Sequence, residues 1–165
     1  MKKLLTGILL LAACSAGAQQ PPLSEQVAKT VVNIWKDSIP VGAQNKWSYD
    51  MGVVLKGFEG IWMNTGNAGY FDAIQKKMDW FVQNDGSIKG YEKEEYNIDH
   101  VNNGKLVLLL YRVTGKEKYK KAADHLRSQL LTHPRTKEGG FWHKKVYPYQ
   151  MWLDGIYMAG PFLAR

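Results

Sequence analysis

A chain of 165 residues that is 45% hydrophobic and 12% aromatic carries enough apolar material for one domain with a buried core, which excludes a disordered segment. The formal charge of +7 is scattered over Lys76-Lys77, Lys116 to Lys121 and Lys144-Lys145. Without a long basic run it argues against a nucleic-acid partner, and it fits an ordinary solvated surface or one that meets an acidic substrate.

The first element is Met1-Lys2-Lys3 followed by the apolar run Leu4 to Ala13. That run is about half the length a membrane span needs, so residues 1–18 read as a signal peptide and no membrane span is expected. Ala16-Gly17-Ala18 offers small residues at the spacing of simple cleavage, the favoured route. Leu11-Ala12-Ala13-Cys14 resembles a bacterial lipoprotein box, and in that competing route Cys14 carries a lipid anchor. The protein is therefore expected to be exported, as a periplasmic or secreted protein or as a membrane-anchored lipoprotein. Cys14 is the only cysteine, so residues 19–165 hold no disulfide, no thiolate nucleophile and no cysteine metal site.

Helical spacing follows in three places: Leu23, Val27, Val31, Ile34; then Tyr70, Ile74, Met78, Phe81; then Tyr119, Ala123, Leu126, Leu130. No stretch alternates like a half-buried strand. Between these amphipathic helices, Leu106 to Val113 is apolar almost all round, and Met51 to Met63 mixes apolar residues with Gly52, Gly57 and Gly60. A helix apolar on every side is expected to be buried on every side. The pattern is an inner helix followed by an outer one, repeated.

An internal repeat supports this order. Thr65-Gly66-x-x-x-Tyr70-x-x-Ala73 recurs as Thr114-Gly115-x-x-x-Tyr119-x-x-Ala122, an offset of 49 residues that also carries Asp50 onto Asp99. Each glycine is expected to end an inner helix in the left-handed conformation. A third apolar segment, Trp152 to Met158, puts Asp154 in the equivalent place 55 residues further on. Such pairs suggest an α/α toroid or a helical solenoid, and a closed six-hairpin toroid needs roughly twice this length at the observed period. Residues 19–165 therefore read as the truncated N-terminal portion of an all-α barrel.

Parallel inner helices would gather Asp50, Asp99 and Asp154 at one mouth, beside Tyr49, His100 and Trp152. An aspartate at a helix start also caps free N–H groups and meets the favourable end of the dipole, which accounts for any one of the three alone. Carboxyl groups brought together repel, which raises the proton affinity of one and suits it to general acid work. The loop before Asp154, from His133 to Gln150, is dense in aromatic residues, His and Gly. Aromatic faces stack on sugar rings, while packing onto the barrel is the plainer use of Phe141, Trp142 and Tyr147. His125 lies on an outer helix, and Met78 and Met151 fit core packing. No His-Glu-x-x-His, phosphate-binding Gly loop or Ser nucleophile elbow is present, and the four histidines are too dispersed to argue for a metal.

The segments Trp47 to Val53, Tyr96-Asn97-Ile98-Asp99, Gly139 to Lys144 and Tyr147-Pro148-x-Gln150-Met151-Trp152-Leu153-Asp154-Gly155 resemble glycoside hydrolase family 105, the unsaturated rhamnogalacturonyl hydrolases. The related family 88, the unsaturated glucuronyl hydrolases, shares the fold and chemistry. The resemblance implies an (α/α)6 barrel without metal or organic cofactor. Its substrates would be the oligosaccharides that polysaccharide lyases leave with a 4,5-unsaturated uronic acid, here from pectin rhamnogalacturonan. It implies Asp154 as general acid and base, Asp99 as the second carboxylate, and His143, Tyr49 and Trp152 as substrate contacts. His100 joins them only by standing next to Asp99. Family members hold the uronate with residues from later hairpins, so the 165-residue chain alone is expected to be inactive or unstable. A glucuronyl hydrolase or another toroid sugar enzyme is one alternative, and a non-catalytic glycan-binding or helical scaffold protein is another.

Overall fold

A computed structural model describes residues 20–35 and 46–164. The expected signal peptide, residues 1–18 with Cys14, lies outside them. Among the described residues six α-helices follow one another: α1 (Leu23–Trp35), α2 (Tyr49–Thr65), α3 (Ala68–Phe81), α4 (Gly104–Thr114), α5 (Glu117–Thr132) and α6 (Asp154–Leu163). Among the described residues the only strand-like pairing is two isolated antiparallel bridges, Val82 with Ile88 and Arg135 with Phe141. None of these helices is long and apolar enough to cross a membrane.

The repeat is visible in the backbone. Gly66 ends α2 at φ 69° and Gly115 ends α4 at φ 66°, each returning its N–H to the carbonyl four residues back. A side chain at either position would be forced into the left-handed region, which is why the turn is written with glycine. The preceding threonines match too: Thr65 Oγ1 donates to Ile61 O at 2.8 Å and Thr114 Oγ1 to Leu110 O at 2.6 Å. The tyrosines that follow, Tyr70 and Tyr119, are both buried. Upstream, a 3₁₀ segment (Ile98–Asn103) runs straight into α4, and its six residues with the eleven of α4 equal the 17 of α2.

Packing divides the helices into two ranks. Tyr70, Ile74, Met78 and Phe81 of α3, with Tyr119, Ala123, Leu126 and Leu130 of α5, are buried as their spacing predicts. The two outer helices are joined through Asp79, whose carboxylate accepts from the Tyr119 hydroxyl and pairs with Lys118 at 2.6 Å. Leu55, Phe58, Leu106, Val107 and Leu110 of the inner helices meet them in one core with Met158, Ala159 and Phe162 of α6.

One expectation changes. In α1 the buried face is Ala28 with Val31, Val32 and Trp35 against the core, while Leu23, Val27 and Ile34 stay exposed. The heptad-like stripe gave the helix correctly and its buried side only in part. The inner helices, which a complete barrel is expected to bury all round, leave Val53, Met63, Val113, Ile156 and Tyr157 exposed, with Leu153 just before α6 86% exposed. Gly57 and Gly60 likewise face open space. Exposed apolar side chains in this number favour association. A polypeptide of these 165 residues alone is expected to elute from a sizing column as oligomers or aggregate at micromolar concentration. A stable monomer would contradict the exposure described here.

Candidate functional site

The site assembles where the starts of α2, the 3₁₀ segment and α6 meet. Two side-chain amides tie the first two together: Asn102 Nδ2 donates to Tyr49 O at 3.0 Å and Asn103 Nδ2 to Ser48 O at 3.1 Å. Buried Trp47 adds a third tie, its indole N–H donating to His100 O at 2.9 Å. Gly52 leaves room for this contact, since a Cβ there would stand 1.9 Å from Asn103 Oδ1.

Asp99 is the second residue of the 3₁₀ segment, its N–H capped by Asn97 Oδ1 at 3.1 Å. The next residue of the cluster comes from the long loop. His143 O accepts from Ile98 N at 3.0 Å and His143 N donates to Gln150 O at 2.7 Å, so its backbone is held from both sides. Gln150 reaches that position because Tyr149 adopts φ 63°, a left-handed conformation that costs a non-glycine residue about 1 kcal/mol or more. Asp154 is the first residue of α6.

These three side chains converge. The His143 ring lies between the carboxylates, Nε2 at 3.5 Å from Asp99 Oδ1 and Nδ1 at 3.9 Å from Asp154 Oδ1. One ligand atom from each lies within 4.8 Å of the others. Asp99 and His143 are buried whereas the Asp154 side chain is 50% exposed, so one carboxyl is a fixed partner and the other faces incoming molecules. Lys144, one residue after the histidine, places Nζ at 2.8 Å from Asp99 Oδ2. Two carboxylates and an imidazole are also donors a cation could use. The ammonium already on Asp99 repels one, so this set fits a divalent metal poorly.

Aromatic rings wall the cluster. Trp152 stacks on His143 with centroids 4.1 Å apart and planes 8° apart, and Tyr147 stacks on Trp152 in turn at 5.4 Å and 16°. Trp152 Nε1 donates to Gln150 Oε1 at 3.1 Å. Trp152 and Tyr147 remain 44% and 38% exposed, which leaves π-surface beside Asp154 for the apolar face of a sugar ring. Phe141 instead packs on the core edge-to-face with His133, and Trp142 pairs with exposed Tyr149. The loop is thus divided between packing and cleft wall. Met151, expected in the core, is 58% exposed and lies against Gly140.

Tyr49 is exposed at the first turn of α2, at the rim. Asp50 is exposed beside it and is not part of the three-residue cluster. His100 turns towards another neighbourhood: its Nδ1 lies 3.8 Å from Glu95 Oε2 and its ring edge meets Tyr91. Burial pushes the His100 imidazole below its ordinary proton affinity.

His133 carries the loop. Its Nε2 lies 2.8 Å from Trp142 O, which can only accept, so Nε2 bears the hydrogen and Nδ1 is the acceptor for Gln129 Nε2 at 3.2 Å. Gln129 is in turn fixed by the Tyr91 hydroxyl, which donates to Oε1 at 2.8 Å, and by its own bond to Asn97 O at 3.1 Å. A proton on Nδ1 would face a donor, and burial also lowers the His133 pKa. Both histidines bind protons more readily when unfolded, so their contribution to stability is complete above about pH 6.5 and is lost as pH falls through the lower folded values. Melting temperature should therefore drop on acidification below about pH 6.5, with a shallower drop in His133→Gln. An unchanged slope in that variant would contradict the assigned tautomer.

Lys144 and Gln150 stand in segments the sequence singles out, yet their parts in the site were not read from it. Lys144 meets a carboxylate 45 positions away, and Gln150 acts through its backbone and its hold on Trp152.

Three comparisons bear on this arrangement. The family model described as Glycosyl Hydrolase Family 88 matches residues 23–165. The chain is 29% identical over 125 residues to a Bacillus subtilis (strain 168) protein named unsaturated rhamnogalacturonyl hydrolase YesR, which covers 72% of this chain and 34% of that protein. A solved structure titled as a C. acetobutylicum ATCC 824 glycoside hydrolase from family 105 superposes with a TM-score of 0.77 at 44% identity, covering 87% of this chain and 39% of that one. The chain thus spans between a third and two fifths of the length of these relatives.

Proposed function

The chain belongs to Glycosyl Hydrolase Family 88, and from that membership we propose that the protein releases the 4,5-unsaturated galacturonyl residue from rhamnogalacturonan-derived oligosaccharides by hydrating its double bond. The observation that carries the proposal is the half-exposed Asp154 carboxyl at the head of α6, facing His143 and, across it, Asp99. The name of the B. subtilis relative supports the substrate.

In this reading Asp154 gives its proton to C4 of the vinyl ether, and the positive charge that develops at C5 is met by water. Asp154 takes a proton back from that water as the C5–O bond forms. The resulting hemiketal opens by breaking its bond from C5 to the ring oxygen, which leaves a ketone at C5 and a hemiacetal at C1. The hemiacetal then collapses to an aldehyde as the C1–O bond breaks, its hydroxyl proton passes to the glycosidic oxygen, and the partner sugar departs as an alcohol. Asp99, held by Lys144, fixes the imidazole edge beside Asp154 and keeps negative charge near the developing cation. The usual link between carboxylate spacing and anomeric outcome does not apply, because the double bond and not the anomeric carbon is protonated.

The test is the loss of the double bond's ultraviolet absorbance when the protein, as its gene encodes it, meets the unsaturated galacturonyl-rhamnose disaccharide. No loss would overturn the proposal. The family 88 match favours one second reading, an unsaturated glucuronyl hydrolase. Faster turnover of an unsaturated glycosaminoglycan disaccharide in the same assay would select it.

A further inference from the structure

Pro161 stands inside α6, where its missing N–H leaves the carbonyl four residues back, that of Tyr157, without its helical partner. Another element fills the gap. Lys105, in the first turn of α4 and 1% exposed, extends Nζ to 3.2 Å from Tyr157 O, and the same ammonium sits 3.7 Å from the centre of the Tyr157 ring. Next to it Gly104 lies under Phe162, whose ring atoms come within 2.7 Å of where a glycine Cβ would stand. A charged donor to a carbonyl is stronger than a neutral one, and a cation over an aromatic face adds to it.

We propose that Lys105 is a positioning residue for Asp154: it replaces the hydrogen bond that Pro161 removes and so fastens the first turns of α6 to α4. Tyr157 is three residues after Asp154, so the fastening acts on the turn that aims the carboxyl at His143. The catalytic part of this inference rests on the function proposed above, and the fastening itself does not. Pro161 lies in the last turn of α6, so the carbonyl it frees belongs to the first turn, and among the described residues Lys105 is the side chain that holds it.

The experiment uses the protein as its gene encodes it and compares Lys105→Met, Pro161→Ala and the double variant by hydrogen exchange of the 154–164 segment. Lys105→Met should speed exchange there by about tenfold, with α3 and α5 unchanged. The double variant should recover to within about threefold of the parent, because replacing the proline by alanine restores the N–H that Tyr157 O lacks. Lys105→Gln, a neutral donor, should lie between. If the protein turns over the proposed substrate, kcat should fall across the variants as the exchange speeds up, while KM holds. Equal exchange in Lys105→Met and the parent, or no recovery in the double variant, would overturn the fastening. That includes the case in which neither folds. Altered exchange with unaltered kcat would overturn only the link to Asp154.

Discussion

Asp154→Asn is expected to lower kcat on the unsaturated disaccharide by about 10²- to 10⁴-fold, the range that a positioned general acid contributes. Asparagine keeps the shape and can still accept at the edge of the cleft, so binding should survive and KM should change little. The side chain is half exposed and lies beyond hydrogen-bond distance of His143, so its loss should not unfold the protein, and the circular dichroism spectrum should be that of the parent. The comparison that gives the result meaning is Asp50→Asn. Asp50 is the counterpart of Asp99 in the repeat and begins a neighbouring inner helix, but it lies outside the cluster, so its loss should cost less than about tenfold. Similar losses at both positions would mean that the helix starts, and not the cluster, matter. Retained activity in Asp154→Asn would remove the mechanism altogether.

The second large effect is expected at Gly52. Valine there must displace Asn103, whose Oδ1 would be 1.9 Å from the new Cβ, and Asn102, whose Nδ2 would be 2.6 Å away. Both asparagine amides bridge the 3₁₀ segment to the start of α2, and each lost bond costs about 1 kcal/mol in addition to the overpacking, itself about 1–3 kcal/mol. The sum, about 3 kcal/mol or more, should lower the melting temperature by roughly 6–12 °C. Gly57→Ala in the same helix should do the opposite, raising stability by about 0.5–1 kcal/mol, because a Cβ at Gly57 meets nothing and alanine restricts the unfolded chain. Thermal melts of the two variants separate a glycine required by contact from one that is merely tolerated.

These residues show what could be read from sequence. The helices with strong apolar spacing, α3 and α5, have the buried faces their pattern implies, because one side of each meets a continuous core. The Thr-Gly turn was legible because only a few residue types serve a left-handed helix end, and Gly66 and Gly115 have the angles expected of it. The repeat brought Asp99 and Asp154 together but also Asp50, which stands outside the cluster, and the family resemblance singled out His143 as a substrate contact without its place between the carboxylates. The ion pair of Lys144 with Asp99 and the bond of Lys105 to Tyr157 were not legible. Long flexible side chains reach partners that no local period encodes, and a lysine in a sequence looks the same buried or solvated. His100 shows the converse, since adjacency to Asp99 along the chain places it against Tyr91 and Glu95.

The matched 17-residue lengths of the two inner segments conceal a difference in screw. An α-helix turns by about 100° and rises about 1.5 Å per residue, whereas a 3₁₀ helix turns by about 120° and rises about 2.0 Å. Over the five residues from Gly104 back to Asp99 this advances the backbone by about 2.5 Å and rotates it by about 100° relative to the path Asp50 follows in α2. Two aspartates at equivalent repeat positions are thereby sent to different directions and depths, one outward to solvent and one inward to His143 and Lys144. A change of winding thus redirects a functional group without adding or deleting a residue, and the length of the repeat is left intact.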